Sequence, residues 1–291
     1  MDNLFQENPL VSVIIPTFNR GWIVTEAVQS VIDQDYQHIE IIVVDDGSTD
    51  DTKEKIMPFM EKIVFITQKN QGVSAARNAG IRISHGVFVA FLDSDDLWLP
   101  EKISIQVNFF NTDQDAMICQ TEEIWIRNSK RVNPKKKHKK LSGMIFEPSL
   151  HLCLVSPSAV MMKRSLFDIK GYFDEELKAC EDYDLWLRIG STIPVYLIDK
   201  PLIVKRGGHE DQLSGRHSLD KYRIRSLEKL LKNRELTEEQ YSATATVFHE
   251  KCSIYFHGCI KRGKKDEAEL YRRKLEQFCD DKPFPSGLSK G

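Results

Sequence analysis

Asp93-Ser94-Asp95 sets two carboxylates two positions apart, directly after the apolar run at residues 87–92. On a turning backbone such a pair can converge on one hard cation. Mg²⁺ and Mn²⁺ take oxygen ligands of this kind and commonly share them with substrate phosphates. The same residues also suit a solvated acidic turn with Asp96 as a helix cap, and the loop lacks the glycine and terminal glutamate of an EF-hand. Asp45-Asp46-Gly47-Ser48 follows another apolar run. A carboxylate there could accept a hydrogen bond from a nucleobase imide N–H, or the four residues could simply supply a turn and a cap.

Three further segments carry charge. In residues 71–80 a single arginine, Arg77, stands among small residues; it suits either a phosphate or an ion pair with Asp93 or Asp95. Glu181-Asp182-Tyr183-Asp184-Leu185-Trp186-Leu187-Arg188 opens on carboxylates, which a helix N-terminus favours whatever their function. Leu185, Trp186 and Ile189 form its apolar stripe. His209, in a glycine-rich loop, is a metal or phosphate contact or plain polar surface. The basic segment at residues 135–140 reads as a solvated loop, with an anionic acceptor or a membrane surface as the other reading.

These clusters need elements to position them. Residues 11–15 form a β-rich run stopped by Pro16, and residues 21–34 have a helical period. Residues 39–44 are nearly all β-branched or apolar, as in a strand buried on both faces, and Ser48 or Asp50 can cap a helix to about residue 61. A strand at 63–67, a helix at 73–84 and a strand at 87–92 complete a β-α-β-α-β-α-β order. That order predicts a parallel sheet with right-handed crossovers, and ligands bind beyond the carboxyl ends of such strands. The acidic clusters lie at those ends. Residues 117–127 look like one or two strands, 195–198 and 202–204 like two more. From residue 219 onward the pattern is helical, with two antiparallel helices joined at Gly263 and a loose tail.

A length of 291 residues, 41% hydrophobic and 29% charged, fits one large globular unit or two small ones. Forty-one basic against 43 acidic side chains provide no net field to recruit nucleic acid. Six scattered cysteines without a C-x-x-C pair fit reduced thiols in a cytoplasm. The first residues do not read as a signal peptide, and no apolar run reaches the roughly 18 residues of a membrane helix. P-loop, dinucleotide and nucleophile-elbow fingerprints are absent from the sequence.

In one order the chain reads VSVIIPTFNR, EIIVVDDGSTDDT, NQGVSAARNAGI, FVAFLDSDDLWLPEKI and EDYDLWLR. Together these segments resemble a family 2 glycosyltransferase with the α/β GT-A fold, a Rossmann-like nucleotide-diphospho-sugar transferase with a mixed, largely parallel sheet. The resemblance covers residues 10–215 and is weak over the C-terminal helices. It implies a transferase domain at 1–218, with a nucleotide-sugar half at about 10–115 and an acceptor half at 116–218, and a helical extension at 219–291.

By the same resemblance, Pro16, Thr17, Phe18, Asn19 and Asp46 hold the base and ribose, and Arg77 lies near the base and diphosphate. Asp93, Ser94 and Asp95 form the D-x-D element, Asp95 as the direct ligand of Mn²⁺ or Mg²⁺ and Asp93 nearer the ribose. Asp182 is the catalytic base, His209 a further contact to metal or diphosphate, and Glu181 and Trp186 acceptor contacts. The implied reaction is inverting transfer from a nucleotide-sugar donor, a UDP-sugar, to a glycan or lipid-linked acceptor. The setting is cytoplasmic, with peripheral membrane contact, and the C-terminal helices form part of an acceptor cleft or a homodimer contact. A catalytically degenerate scaffold subunit would not need Arg77, Asp93, Asp95 and Asp182 together. A sugar nucleotidyltransferase would show a glycine-rich, basic triphosphate loop that residues 16–20 do not supply.

Overall fold

The computed structural model describes residues 8–208, 219–233 and 235–277. Strands β1 (Val11–Thr17), β2 (Ile39–Asp45), β3 (Val64–Thr67) and β4 (Phe88–Phe91) lie in the order β3-β2-β1-β4, each pair parallel. Helices α1 (Val24–Ile32), α2 (Thr52–Ile56) and α3 (Val73–Ile83) make the crossovers. Alternation along the strands splits the core between the two faces of the sheet. Val11, Val13, Ile15, Val43 and Ala90 point to one side with α1; Ile14, Ile42, Val44, Val89 and Phe91 point to the other with α3. The small residues of α3 let it approach closely. A Cβ on Gly80 would sit 2.5 Å from Ile14 Cγ2.

Pro16 does not stop β1, which runs on to Thr17. Ile14 bonds toward β4, and Pro16 shares that orientation, but β4 pairs with β1 only as far as Ile14. The missing N–H of Pro16 therefore breaks no ladder. The second helix is shorter than its pattern suggests and passes into a 3₁₀ turn at Met57–Phe59 that contains Pro58. Its N-cap residue is Asp51, while Ser48 and Asp50 tie down the loop after β1: Ser48 Oγ accepts from Asn19 N, and Asp50 from Gly21 N.

The sheet then becomes mixed. β5 (Leu97–Trp98), α4 (Lys102–Thr112), β6 (Ile118–Arg127), β7 (Lys130–Val132), α5 (Phe146–His151), β8 (Val160–Lys163), α6 (Leu166–Lys170), α7 (Glu181–Gly190) and β9 (Tyr196–Gly207) follow in the chain. β8 joins β4 to β6 antiparallel to both, and β6 pairs parallel with β9. Where two strands are expected at 195–198 and 202–204, β9 is a single strand through Pro201. A register shift around Glu122 on β6 absorbs the irregularity.

Helices α8 (Asp220–Lys232), α9 (Glu238–Lys261) and α10 (Lys265–Gln277) pack on α5 and α7 through a core that includes Phe146, Leu150, Tyr183, Leu187, Leu227 and Phe248. Thr237 begins α9 with a reciprocal capping box to Gln240. Gly263, at φ +69°, turns the chain into α10. Lys229 of α8 bonds both Asp174 and Asp184, fixing the helical extension to the N-terminal turn of α7. Among the described residues, no helix is long and apolar enough to cross a membrane, and five cysteines are free thiols.

Candidate active site

The carboxyl ends of β1, β2 and β4 open onto a cleft of about 900 Å³, whose other wall comes from β6, β9, the residues before α7, and α8. Pro16, Thr17, Phe18 and Asn19 line its first edge, together with Asp46. Asn19 takes a left-handed φ of 51°, and its side chain accepts from Thr49 N. The Asp46 carboxylate is buried and holds the turn into α3, accepting from Gln71 N at 3.0 Å and Gly72 N at 2.7 Å. The neighbouring Asp45 accepts from Ser48 N and Oγ.

Beyond β4, Asp93, Ser94, Asp95 and Asp96 all reach the cleft, and they differ in environment. Asp93 is partly exposed and accepts from Arg77 Nη2 at 2.7 Å. Asp96 does not cap a helix. Its buried carboxylate accepts from Ser158 Oγ and from Arg206 N, and burial, with Asp95 and Asp93 nearby, raises its pKa well above the usual range against the pull of Lys205. Arg206 Nε in turn donates to Asp95 O at 2.6 Å, so the acidic turn is strapped to β9.

Arg77 is buried between two carboxylates, Asp93 and Glu181, the latter at 2.6 Å from Nη1. Burial works against its charge, yet both partners hold its pKa above the ordinary arginine value. Its guanidinium also lies 5.2 Å from the Phe173 ring centre. The ion-pair reading of Arg77 is therefore the one the geometry displays, and it brings in Glu181. Glu181, expected as an acceptor contact, lines the cleft, where it is buried and bonded to Arg77. Trp186, the other expected acceptor contact, is not among the residues that line the cleft. At the position where the apolar stripe of α7 faces the sheet, it packs edge-on against Phe173 in the core.

Asp182 lies on the cleft wall in the first turn of α7, after Cys180 at a left-handed φ of 60°. Its Oδ2 accepts from Cys153 Sγ at 3.5 Å and its Oδ1 from Tyr183 N. Burial and the Asp182 charge both push the Cys153 thiol pKa well up, so that sulfur remains a protonated donor. His209 lies outside the described residues.

Three cleft-lining groups are not among the site residues expected from the sequence. Lys140, expected in a solvated loop, is buried against Glu123 at 2.8 Å. Burial alone would raise the Glu123 pKa, but Lys140 and Lys205 bring it down to about 2. Lys205 is the third. Its ammonium donates to Ser156 Oγ and lies within the field of Glu123, Asp96, Asp93 and Asp182, which keep its pKa above the ordinary value despite burial. Lys205 sits in VKRGG at the carboxyl end of a strand, the same signal that marks the acidic clusters.

Among the described residues no group of three or more His, Cys, Asp or Glu is set to hold a metal ion. Asp93 and Asp95 still fit a cation that keeps several waters and takes one or two carboxylates plus phosphate oxygens.

The chain matches the family model described as glycosyl transferase family 2 over residues 12–169. It is 32% identical over 288 residues to an uncharacterised glycosyltransferase of Rickettsia typhi, covering 94% of this chain and 88% of that protein. A longer relative from Rickettsia conorii is 37% identical over 196 residues, 66% of this chain and 32% of its own length. Over 185 residues the chain is 31% identical to the Escherichia coli UDP-Glc:alpha-D-GlcNAc-diphosphoundecaprenol beta-1,3-glucosyltransferase WfgD, covering 62% of this chain and 69% of that one. The fold is similar to that of S. aureus TarS 1-349 in complex with UDP-GlcNAc, with a TM-score of 0.73 at 20% identity, covering 92% of this chain and 81% of that chain.

Proposed function

The chain belongs to glycosyl transferase family 2 and is a glycosyltransferase of GT-A fold, and from that premise we propose that it moves a sugar from a UDP-sugar to a hydroxyl of a lipid-diphosphate-linked glycan, with inversion. The observation that carries this reading is the position of Asp182 on the wall of the cleft that Asp93 and Asp95 also line, with Lys205 in the field of both Asp93 and Asp182. The lipid-diphosphate acceptor follows the substrate in the name of WfgD.

Pro16–Asn19 and Asp46 border the pocket for base and ribose. Asp95 and Asp93 would hold Mn²⁺ or Mg²⁺, which when bound offsets the charge of the leaving nucleoside diphosphate. Arg77 fixes the Asp93 carboxylate and, through Glu181, the first turn of α7. Asp182 accepts the proton of the acceptor hydroxyl as that oxygen attacks the anomeric carbon from the face opposite UDP. The Cys153 thiol contacts one of its oxygens at 3.5 Å. Lys205 keeps a positive charge beside the site where negative charge grows on the leaving group. The enzyme works as a peripheral protein at a membrane surface, where lipid-linked acceptors reside.

The test is incubation with UDP-sugars, Mn²⁺ and a short-chain N-acetylglucosaminyl diphospholipid, with the product's anomeric configuration read by NMR. Inverted product supports the mechanism; a product with retained configuration overturns it.

A further inference from the structure

Residues 124–146 contain Arg127, Lys130, Arg131, Lys135, Lys136, Lys137, Lys139 and Lys140 and not one Asp or Glu, in a chain whose net charge is −2. Lys140 is neutralised by Glu123. The others are not balanced within their own segment, and the segment folds against the cleft. Arg127 and His138 both line the cleft, as does Trp125. The Trp125 and His138 rings are 5.3 Å apart between centroids, and the Arg127 guanidinium is 5.9 Å from the Trp125 ring centre. Among the described residues no carboxylate pairs with Arg127. The platform itself is rigid. Trp125 Nε1 donates to Glu123 at 2.9 Å, and Glu123 is held by Lys140. On the sheet Trp125 is opposite Lys205 and Arg127 opposite Gly207, so these cations continue the wall that faces Asp182.

We propose that Arg127 and His138, braced on Trp125, form the subsite for the phosphates of the acceptor, a sugar joined through a diphosphate to a lipid. Resting on the acceptor class proposed above, this assigns residues to its diphosphate. Arg127 supplies a planar fork suited to phosphate oxygens. His138 supplies a ring N–H; burial and the charges of Lys137, Arg127, Lys135 and Lys205 depress its pKa, so it acts as a neutral donor. The basic strip could instead serve anionic lipid headgroups, but Arg127 and His138 open into the reaction cleft, and a headgroup contact would not require that.

The experiment compares wild type with Arg127→Ala in two assays, beside sedimentation with phosphatidylglycerol-containing vesicles. In the first, UDP-saturated protein with Mn²⁺ is titrated with decyl diphosphate. The proposal expects binding to wild type and a loss of roughly 10- to 100-fold in the variant, the effect of one charge-assisted contact. In the second, both proteins transfer sugar to decyl diphosphate-linked N-acetylglucosamine and to decyl N-acetylglucosaminide, which lacks phosphate. KM should rise for the first acceptor and hold for the second. An equal change on both acceptors overturns the proposal. So does unchanged decyl diphosphate affinity accompanied by lost binding to phosphatidylglycerol-containing vesicles, which would assign the strip to the membrane. If wild type transfers to neither acceptor, the proposed function fails, and the titration alone decides the phosphate subsite. Arg127 is exposed, so its truncation leaves the fold intact.

Discussion

Arg77 Nη2 and Asp93 Oδ1 meet at 2.7 Å, although 16 residues separate them and one belongs to a helix, the other to a strand end. The contact means that the D-x-D turn is not free to follow its ligand. Through Arg77 its first carboxylate is tied to Glu181, and so to the residue beside Asp182. The turn after β4 and the start of α7 share one buried cation.

Replacing Arg77 with Met should therefore lower stability as well as activity. It strands Glu181, buried and negative, and breaking one partner out of a buried ion pair costs about 3–5 kcal/mol. Arg77→Lys should rescue little, because a single ammonium cannot bridge two carboxylates as a planar fork does. Adding Glu181→Leu to Arg77→Met should recover much of the denaturation midpoint and little of the turnover. Urea unfolding and donor turnover, measured on all three variants, check this.

Asp182→Asn should reduce kcat by about 10²–10⁴, the usual contribution of a positioned general base, while UDP affinity stays near wild type. Steady-state transfer and calorimetry separate the two quantities. Near-normal kcat would move the base elsewhere.

The first half of the sheet is legible in the sequence because its strands are buried on both faces and announce themselves as β-branched runs, with the acidic clusters at their ends. The second half is less so. β5 has two residues and β8 four, too short to show a period, and β9 runs straight through Pro201, where a break is expected. Lys140 reads as solvent-exposed because five basic neighbours surround it at 135–139, and only the β6 pairing reveals Glu123 beneath it. Trp186 and Glu181 show the opposite difference. A motif places them beside the chemistry, but helical periodicity turns Trp186 into the core, and Arg77 claims Glu181.

Asp95→Ala should abolish the enhancement of UDP binding by Mn²⁺. Loss of a hydrogen-bond partner behind a metal ligand already costs about 10–100-fold in affinity, so loss of a ligand should cost at least that. Asp93→Ala should add a fall in thermal midpoint, since it also leaves Arg77 half-paired. Calorimetry of UDP with and without Mn²⁺, beside thermal unfolding, distinguishes the two aspartates. An Asp95→Ala protein with wild-type metal dependence would remove Asp95 from the ligand set.

Lys102 gives the fold a pH dependence of definite sign. It is fully buried on α4, 3.9 Å from the Trp98 ring centre, and donates to Gln106 Oε1 at 2.6 Å. Burial foremost, with Lys140 adding to it and Cys119 opposing, brings its pKa from 10.5 down to about 7. Between those two values the unfolded chain binds the proton and the folded chain does not, so this residue makes stability rise with pH from about 7 toward 10.5. Below about pH 7 the ammonium is charged in both states, and the folded protein bears the full desolvation cost. Lys102→Met keeps the volume and removes the charge. It should stabilise the protein most at pH 6, and the advantage over wild type should narrow by pH 9. Urea midpoints at both pH values test this, and an advantage that does not shrink with pH would show that Lys102 is not the group responsible.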